Sequence, residues 1–181
     1  MDVLAHTLWT NAGARFGNKI AEKKGKKFRL HIGWTAFWGV IPDFFAFTTS
    51  FVIILYKIIF TGQTFGNFRE NSRIIEGFDL SSYLYQFSHS IIIWVLVFVL
   101  VWLISRRPRY EMLGWLLHIL IDIPSHSIGF YSTPFLFPIS EYHFPYGISW
   151  ANKWYMIVNY SSLLIIWFKI VFFEKKYKVV L

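Results

Sequence analysis

Residues 88–105 read SHSIIIWVLVFVLVWLIS, an almost unbroken apolar run that opens on a histidine between two serines. From Ile91 to Leu103 nearly every side chain is hydrophobic, as in a helix surrounded by lipid. Arg106 and Arg107 follow at once, and basic residues beside an apolar segment are typical of the cytoplasmic end of a membrane helix. The run therefore predicts an integral membrane protein.

Outward from this run, further apolar segments predict a single all-α membrane domain that covers residues 1–181. About four spans are expected, at residues 33–60, 81–105, 110–123 and 151–173. Pro42 is expected to break the first span, because proline lacks a backbone donor and restricts the residue before it. Residues 3–17 resemble a short amphipathic helix before the spans. The aromatic segment 125–150 is expected to pack on the helix ends.

The composition excludes several classes of protein and site. Hydrophobic residues make up 55% of the chain and charged residues only 15%, whereas soluble domains average about 25% charged. The absence of Cys excludes disulfides and thiolate ligands, so a metal site has to use His and carboxylates. The net charge of +8 comes from short basic runs beside apolar segments. That pattern favours anionic membrane lipids as partners and not nucleic acid.

The placement of Lys and Arg predicts the orientation in the membrane. With four spans, one side collects the basic run 19–29, the arginines at 106–109 and the lysines at 175–178. The other side collects only Arg69, Arg73 and Lys153. This bias predicts a bacterial cytoplasmic membrane protein with both termini in the cytoplasm.

Four ionisable residues lie inside the predicted spans, where such groups are costly and usually face the bundle interior. At about 1.5 Å per residue, Asp43 lies roughly 15 Å and His118 roughly 12 Å from the predicted cytoplasmic face. Asp122 and His89 lie roughly 18 Å from that face of a core about 30 Å thick. These depths predict that the four side chains meet near the midplane.

The spacing of His118 and Asp122 places both side chains on one helix face. They can bind one ion, or the Asp can orient the His. The alternative is a His–Asp hydrogen bond that only holds two helices together. Imidazole and carboxylate without thiolate suit Zn²⁺, Mn²⁺ or Fe²⁺. Such an ion would offset the burial of two carboxylates and could activate a water for hydrolysis.

The other histidines leave alternatives open. His6, in the amphipathic segment, is either a surface residue near lipid headgroups or a ligand. His126 follows Asp122 by four residues across Pro124, so it either swings back as a ligand or caps the loop. His31 in the basic run and His143 in the outer segment are expected to be solvated.

Several short motifs, in a specific order, resemble the membrane-bound metal-dependent hydrolases of bacteria, a family distantly similar to zinc-dependent phospholipase C. The resemblance covers residues 2 to about 154, and its motifs are His6, Gly39-Val40-Ile41-Pro42-Asp43, Ser88-His89-Ser90, Leu117-His118-Ile119-Leu120-Ile121-Asp122, Ser125-His126-Ser127 and residues 134–140.

The resemblance implies a function and a set of ligands. It implies a metal-dependent hydrolase, with zinc as the expected metal and a phosphoester of a lipid or lipid-linked molecule as the expected substrate. Asp43 or Asp122 would act as bridging ligand or general base, and the implied ligands are His6, Asp43, His89, His118 and Asp122, with His126 as a further candidate. The family often has a second Asp where this chain has Phe45, which predicts one ligand or supporting group fewer. The alternatives are a non-catalytic protein with a structural His/Asp network and a small proton-linked transporter.

Overall fold

A computed structural model of the chain describes residues 1–62, 78–129 and 131–178, and within these ranges it contains helices and no strand. The helices are α1 (Val3–Lys23), α2 (Ile32–Trp38), α3 (Ile41–Thr61), α4 (Phe78–Ser88), α5 (Ile91–Ser105), α6 (Leu113–Ser125) and α7 (Lys153–Lys178). A 3₁₀ turn, Tyr110–Met112, precedes α6. The all-α prediction is confirmed. Most of the outer segment predicted between the first two spans, including Arg69 and Arg73, lies outside the described residues.

The described helices include two that are long and apolar enough to cross a membrane, α3 and the part Lys153–Phe172 of α7. Asp79–Ser88 and Ile91–Ser105 pass the same test together, but they are bent by 64° at the break between them. The described residues thus supply two or three candidate spans, fewer than the four expected. The predicted span 110–123 folds as the 3₁₀ turn and the 13-residue α6, about 20 Å long and too short for a core of about 30 Å.

The predicted break at Pro42 separates two helices. The helix α2 ends at Trp38, and α3 begins at Ile41 with Pro42 in its first turn. A proline at this position removes only a donor that has no partner within the helix. Asp43 consequently lies in the first turn of α3, where the partial positive charge of the helix N-terminus stabilises a carboxylate.

The N-terminal helix is longer than predicted and belongs to the bundle. It runs from Val3 to Lys23 and is capped by the Asp2 side chain, whose Oδ1 accepts from the amide of Ala5 at 3.0 Å. It packs against α2, α6 and α7, with Ala5, Ala12 and Ala14 buried. Small side chains let neighbouring helices in a membrane approach closely.

Two glycines permit the close packing of α1, α2 and α6. A Cβ on Gly114 in α6 would lie 2.0 Å from the carbonyl oxygen of Thr35 in α2. A Cβ on Gly39, just after α2, would lie 2.4 Å from the side chain of Thr10 in α1. Neither position has room for a larger residue, so the three helices meet around the backbone of Gly39.

Candidate metal centre

Four acidic and imidazole side chains from three parts of the fold meet inside the bundle. Asp43 comes from the first turn of α3, His89 from the bend between α4 and α5, and His118 and Asp122 from α6. Asp43 is 9% exposed and the other three are fully buried. One ligand atom of each lies within 4.8 Å of the others, so the prediction that they meet is confirmed. This buried group can hold a metal ion.

The separations of the four donor atoms match those around a tetrahedral ion. The Nε2 atoms of His89 and His118 are 3.0 Å apart. Asp122 Oδ2 lies 3.4 Å from the first and 3.2 Å from the second, and Asp43 Oδ1 lies 3.5 Å and 3.7 Å from them. Four ligands bound tetrahedrally at about 2.0–2.1 Å lie about 3.3–3.4 Å apart. The donors therefore surround a space of the size that zinc requires.

Backbone carbonyls orient both imidazoles of this centre. His118 Nδ1 lies 2.7 Å from the carbonyl oxygen of Gly39, and His89 Nδ1 lies 3.2 Å from that of Tyr85. A carbonyl oxygen only accepts, so this hydrogen-bond network assigns a proton to each Nδ1 and a lone pair to each Nε2. The two lone pairs then face each other at 3.0 Å. This is the arrangement of two imidazoles that share a cation.

The bend between α4 and α5 delivers His89 to the centre without leaving backbone groups unpaired. Ser90 caps α5, because its Oγ accepts from the amides of Ile92 and Ile93. The bend is covered by the aromatic segment after α6, as expected, since the Ile91 amide donates to the Phe135 carbonyl at 2.9 Å. Irregular backbone at membrane depth is tolerated where protein buries it.

Asp122 connects the four-donor group to a second group of donors. Its Oδ2 faces His89 and His118, whereas its Oδ1 lies 3.0 Å from His6 Nε2 and 3.4 Å from His126 Nδ1. The α-amino group of Met1 also contacts Oδ1. The two oxygens of one carboxylate thus point to two neighbouring sets of nitrogens.

His6 lies beside the centre, and its burial excludes the surface position considered above. The side chain is fully buried, and its ring stacks on that of His118 with centroids 3.7 Å apart. Neither ring nitrogen of His6 forms a hydrogen bond among the described residues. Burial lowers the pKa of His6 to about 4, so the imidazole is neutral at neutral pH and can offer a lone pair to a cation.

His126 lies at the edge of the centre and is not one of the four donors. It follows the last residue of α6 and is 6% exposed. Its Nδ1 lies 3.2 Å from the carbonyl oxygen of Asp122. Burial lowers the pKa of His126 to about 4, so this ring is also neutral at neutral pH. The swing back toward Asp122 is observed, but only Asp122 Oδ1 links His126 to the four-donor group.

Two supporting residues escaped the sequence analysis. Tyr85 supplies the carbonyl that orients His89, and its ring stacks on the imidazole with centroids 3.7 Å apart. Its hydroxyl donates to the Tyr131 carbonyl at 3.0 Å. The spacing of four residues between Tyr85 and His89 on one helix was the available signal. Gly39 acts through its carbonyl, and only its place in the Gly-Val-Ile-Pro-Asp motif pointed to it.

Three residues that were judged peripheral lie away from the centre. His31 is exposed and caps α2, and the Nδ1 of His143 lies 2.9 Å from Ser132 Oγ in the outer segment. Phe45 is 54% exposed on the outer side of α3. An Asp at this position would not reach the four donors, so the expected loss of a ligand does not follow from Phe45.

No protein family, curated protein or solved structure matches this chain. The resemblance to the membrane-bound metal-dependent hydrolases therefore stays a prediction. Function has to be inferred from the site itself, because a helical bundle supports many activities.

Proposed function

We propose that this chain is a metal-dependent hydrolase of the membrane, in which Asp43, His89, His118 and Asp122 hold a divalent transition metal. The observation that carries the proposal is the pair of Nε2 atoms 3.0 Å apart with both Nδ1 atoms directed at carbonyl oxygens. Two carboxylate oxygens complete the group at 3.2–3.7 Å. Zinc is the metal we expect from two imidazoles and two carboxylates in tetrahedral dimensions.

A purely structural hydrogen-bond network explains this group less well. Two carboxylates buried side by side repel each other, and removing them from water costs several kcal/mol per ion in typical proteins. The imidazoles that face them have already used their protons on Gly39 and Tyr85. A divalent cation would compensate both carboxylates and both lone pairs at once.

We further propose that Asp122 bridges to a second metal position. The nitrogens on its Oδ1 side, His6 Nε2 at 3.0 Å and His126 Nδ1 at 3.4 Å, are both in neutral rings. Hydrolases with two metals hold them about 3.5–4 Å apart across such bridging ligands. This assigns a role to the unpartnered ring of His6.

The residues divide the catalytic work between them. Bound metal would supply an activated water at neutral pH and polarise the scissile group. Asp122 is fully enclosed and holds the centre together, whereas Asp43 lines a cavity and can accept the proton of the attacking water. The water oxygen bonds to phosphorus, the ester P–O bond breaks, and the alcohol leaves with a proton.

The candidate spans support a substrate that belongs to the membrane. We propose a phosphoester of a lipid or lipid-linked molecule as substrate and the bacterial cytoplasmic membrane as location. The test is release of the alcohol from phospholipid vesicles by the zinc-loaded protein. Hydrolysis should stop on chelation and in Asp43→Asn, and it should persist in His31→Ala. Metal retention without hydrolysis of any phosphoester would favour the structural alternative.

A further inference from the structure

A cavity of about 410 Å³ opens beside the candidate metal centre. Asp43 and His126 line one part of it, and the aromatic side chains Phe44, Phe47 and Phe51 line another. The volume falls within the range of about 300–1,000 Å³ that is usual for small-molecule sites. The cavity thus joins the polar centre to an aromatic wall.

The aromatic wall follows one face of α3. Phe44, Phe47 and Phe51 are spaced three and four residues apart, so they share a helix face. At about 1.5 Å per residue this stripe extends about 10 Å along the helix, beginning next to Asp43. Phe47 lies one turn beyond Asp43 and packs edge-on against the Tyr131 ring with centroids 5.3 Å apart. It therefore forms the narrow part of the cavity nearest the centre.

The far end of the stripe faces outward from the bundle. Phe44 is 57% exposed and Phe51 is 65% exposed. Both belong to α3, which is long and apolar enough to cross a membrane. The surroundings of such a helix surface are lipid acyl chains. The cavity is thus open sideways toward the hydrocarbon region.

The charges around the cavity also favour a hydrocarbon guest. Among the described residues that line it there is no Lys or Arg, and its charged side chains are the carboxylates of Asp2 and Asp43. No cationic side chain is available there to draw a free phosphate from water. Apolar walls with polar groups at one end suit an amphiphile that inserts its chain and presents its headgroup to the centre.

We propose that this cavity is a lateral entrance through which a bilayer lipid places one hydrocarbon chain along Phe44, Phe47 and Phe51, with its phosphoester at Asp43. The inference rests on the proposed hydrolase function and narrows it to long-chain substrates that enter from the bilayer. A soluble phosphoester lacks the chain that fills the aromatic part.

Photolabelling tests the entrance without relying on catalysis. The full zinc-loaded chain is placed in vesicles of phosphatidylethanolamine and phosphatidylglycerol that contain phosphatidylglycerol with a diazirine in one acyl chain. We expect saturable labelling at residues 44, 47 and 51, about tenfold above Phe45 and Val52, which are exposed on α3 but do not line the cavity. Equal labelling of both sets, or labelling that excess unlabelled lipid does not reduce, would overturn the entrance.

Hydrolysis by narrowed variants gives the second readout. Phe47→Trp should lower kcat/KM about tenfold for a long-chain phosphoester relative to a water-soluble short-chain one, with metal content unchanged. Phe45→Trp is the matched control and should leave this ratio unchanged. An equal effect of Phe47→Trp on both substrates would contradict the entrance. If the unmodified protein hydrolyses neither substrate, the proposed function fails and the labelling pattern alone decides the entrance.

Discussion

His118 Nδ1 lies 2.7 Å from the carbonyl oxygen of Gly39, so the backbone between α2 and α3 sets the orientation of a candidate metal ligand in α6. This contact depends on the close approach of α2 and α6. A Cβ on Gly114 would lie 2.0 Å from the Thr35 carbonyl oxygen and 3.1 Å from the amide nitrogen of Gly39. Helix packing and metal binding should therefore be coupled at Gly114.

Gly114→Ala should weaken metal binding although it removes no ligand. Separation of α2 from α6 would draw the Gly39 carbonyl away from His118, and loss of such a supporting partner lowers metal affinity by about 10–100-fold. Overpacking should also lower stability by about 1–3 kcal/mol. Zinc titration and thermal melting measure the two effects. Gly17→Ala is the matched control, since its Cβ would lie 3.7 Å from Leu30 in ordinary contact; equal zinc affinity in both variants would contradict the coupling.

His6→Ala should lower the metal content without abolishing it. The ring lies on the Oδ1 side of Asp122 and outside the four-donor group. If Asp122 bridges two positions, we expect about two metal ions per chain in the wild-type protein and about one in the variant. Elemental analysis measures the ratio, with His31→Ala as a control on an exposed helix cap. One ion in both wild type and His6→Ala would show that His6 binds no second metal.

The ring of Tyr85 should matter more than its hydroxyl. Tyr85→Phe keeps the stack on His89 and loses only the hydrogen bond to the Tyr131 carbonyl, a change of about 0.5–1.5 kcal/mol. Tyr85→Ala removes the stack and leaves a cavity beside His89, so zinc affinity should fall much further. Comparison of zinc affinity in the two variants measures the difference. Equal affinity would mean that the carbonyl alone orients His89.

Much of the centre was predictable because intramembrane polar residues are few and depth is simple to count. Asp43, His89, His118 and Asp122 were expected in one layer, and they meet. Pro42 also marked the start of α3 correctly. These predictions rest on local rules, namely the missing proline donor and the rise per residue of a helix.

The supporting contacts were not predictable because they depend on tertiary packing. Nothing local assigns the Gly39 carbonyl to His118, 79 positions away. The length of α1 was underestimated since a polar second half gave no apolar period, and packing on α2, α6 and α7 stabilises the helix nevertheless. Segment 110–123 was taken as a span from composition, although its apolar residues face other helices as well as lipid.

The orientation in the membrane can be tested with reporters. The Lys and Arg bias predicts both termini in the cytoplasm, which requires an even number of crossings. The candidate spans number two if the bent α4–α5 pair is re-entrant and three if it crosses. Cytoplasm-active reporters at both ends would support the predicted orientation. A C-terminal alkaline phosphatase fusion that is active in the periplasm, beside a cytoplasmic N-terminus, would show an odd number of crossings and contradict it.

The central claim is that the group of Asp43, His89, His118 and Asp122 binds a divalent metal, and elemental analysis of the purified full chain tests it most directly. After zinc loading and removal of free ions, the account predicts at least about one tightly held zinc per chain and a lower melting temperature on chelation. Asp122→Asn and His118→Ala should each lose the metal, and His31→Ala should retain it. Absence of bound metal after loading, with a melting curve that chelators leave unchanged, would contradict the metal centre and the hydrolase proposal built on it.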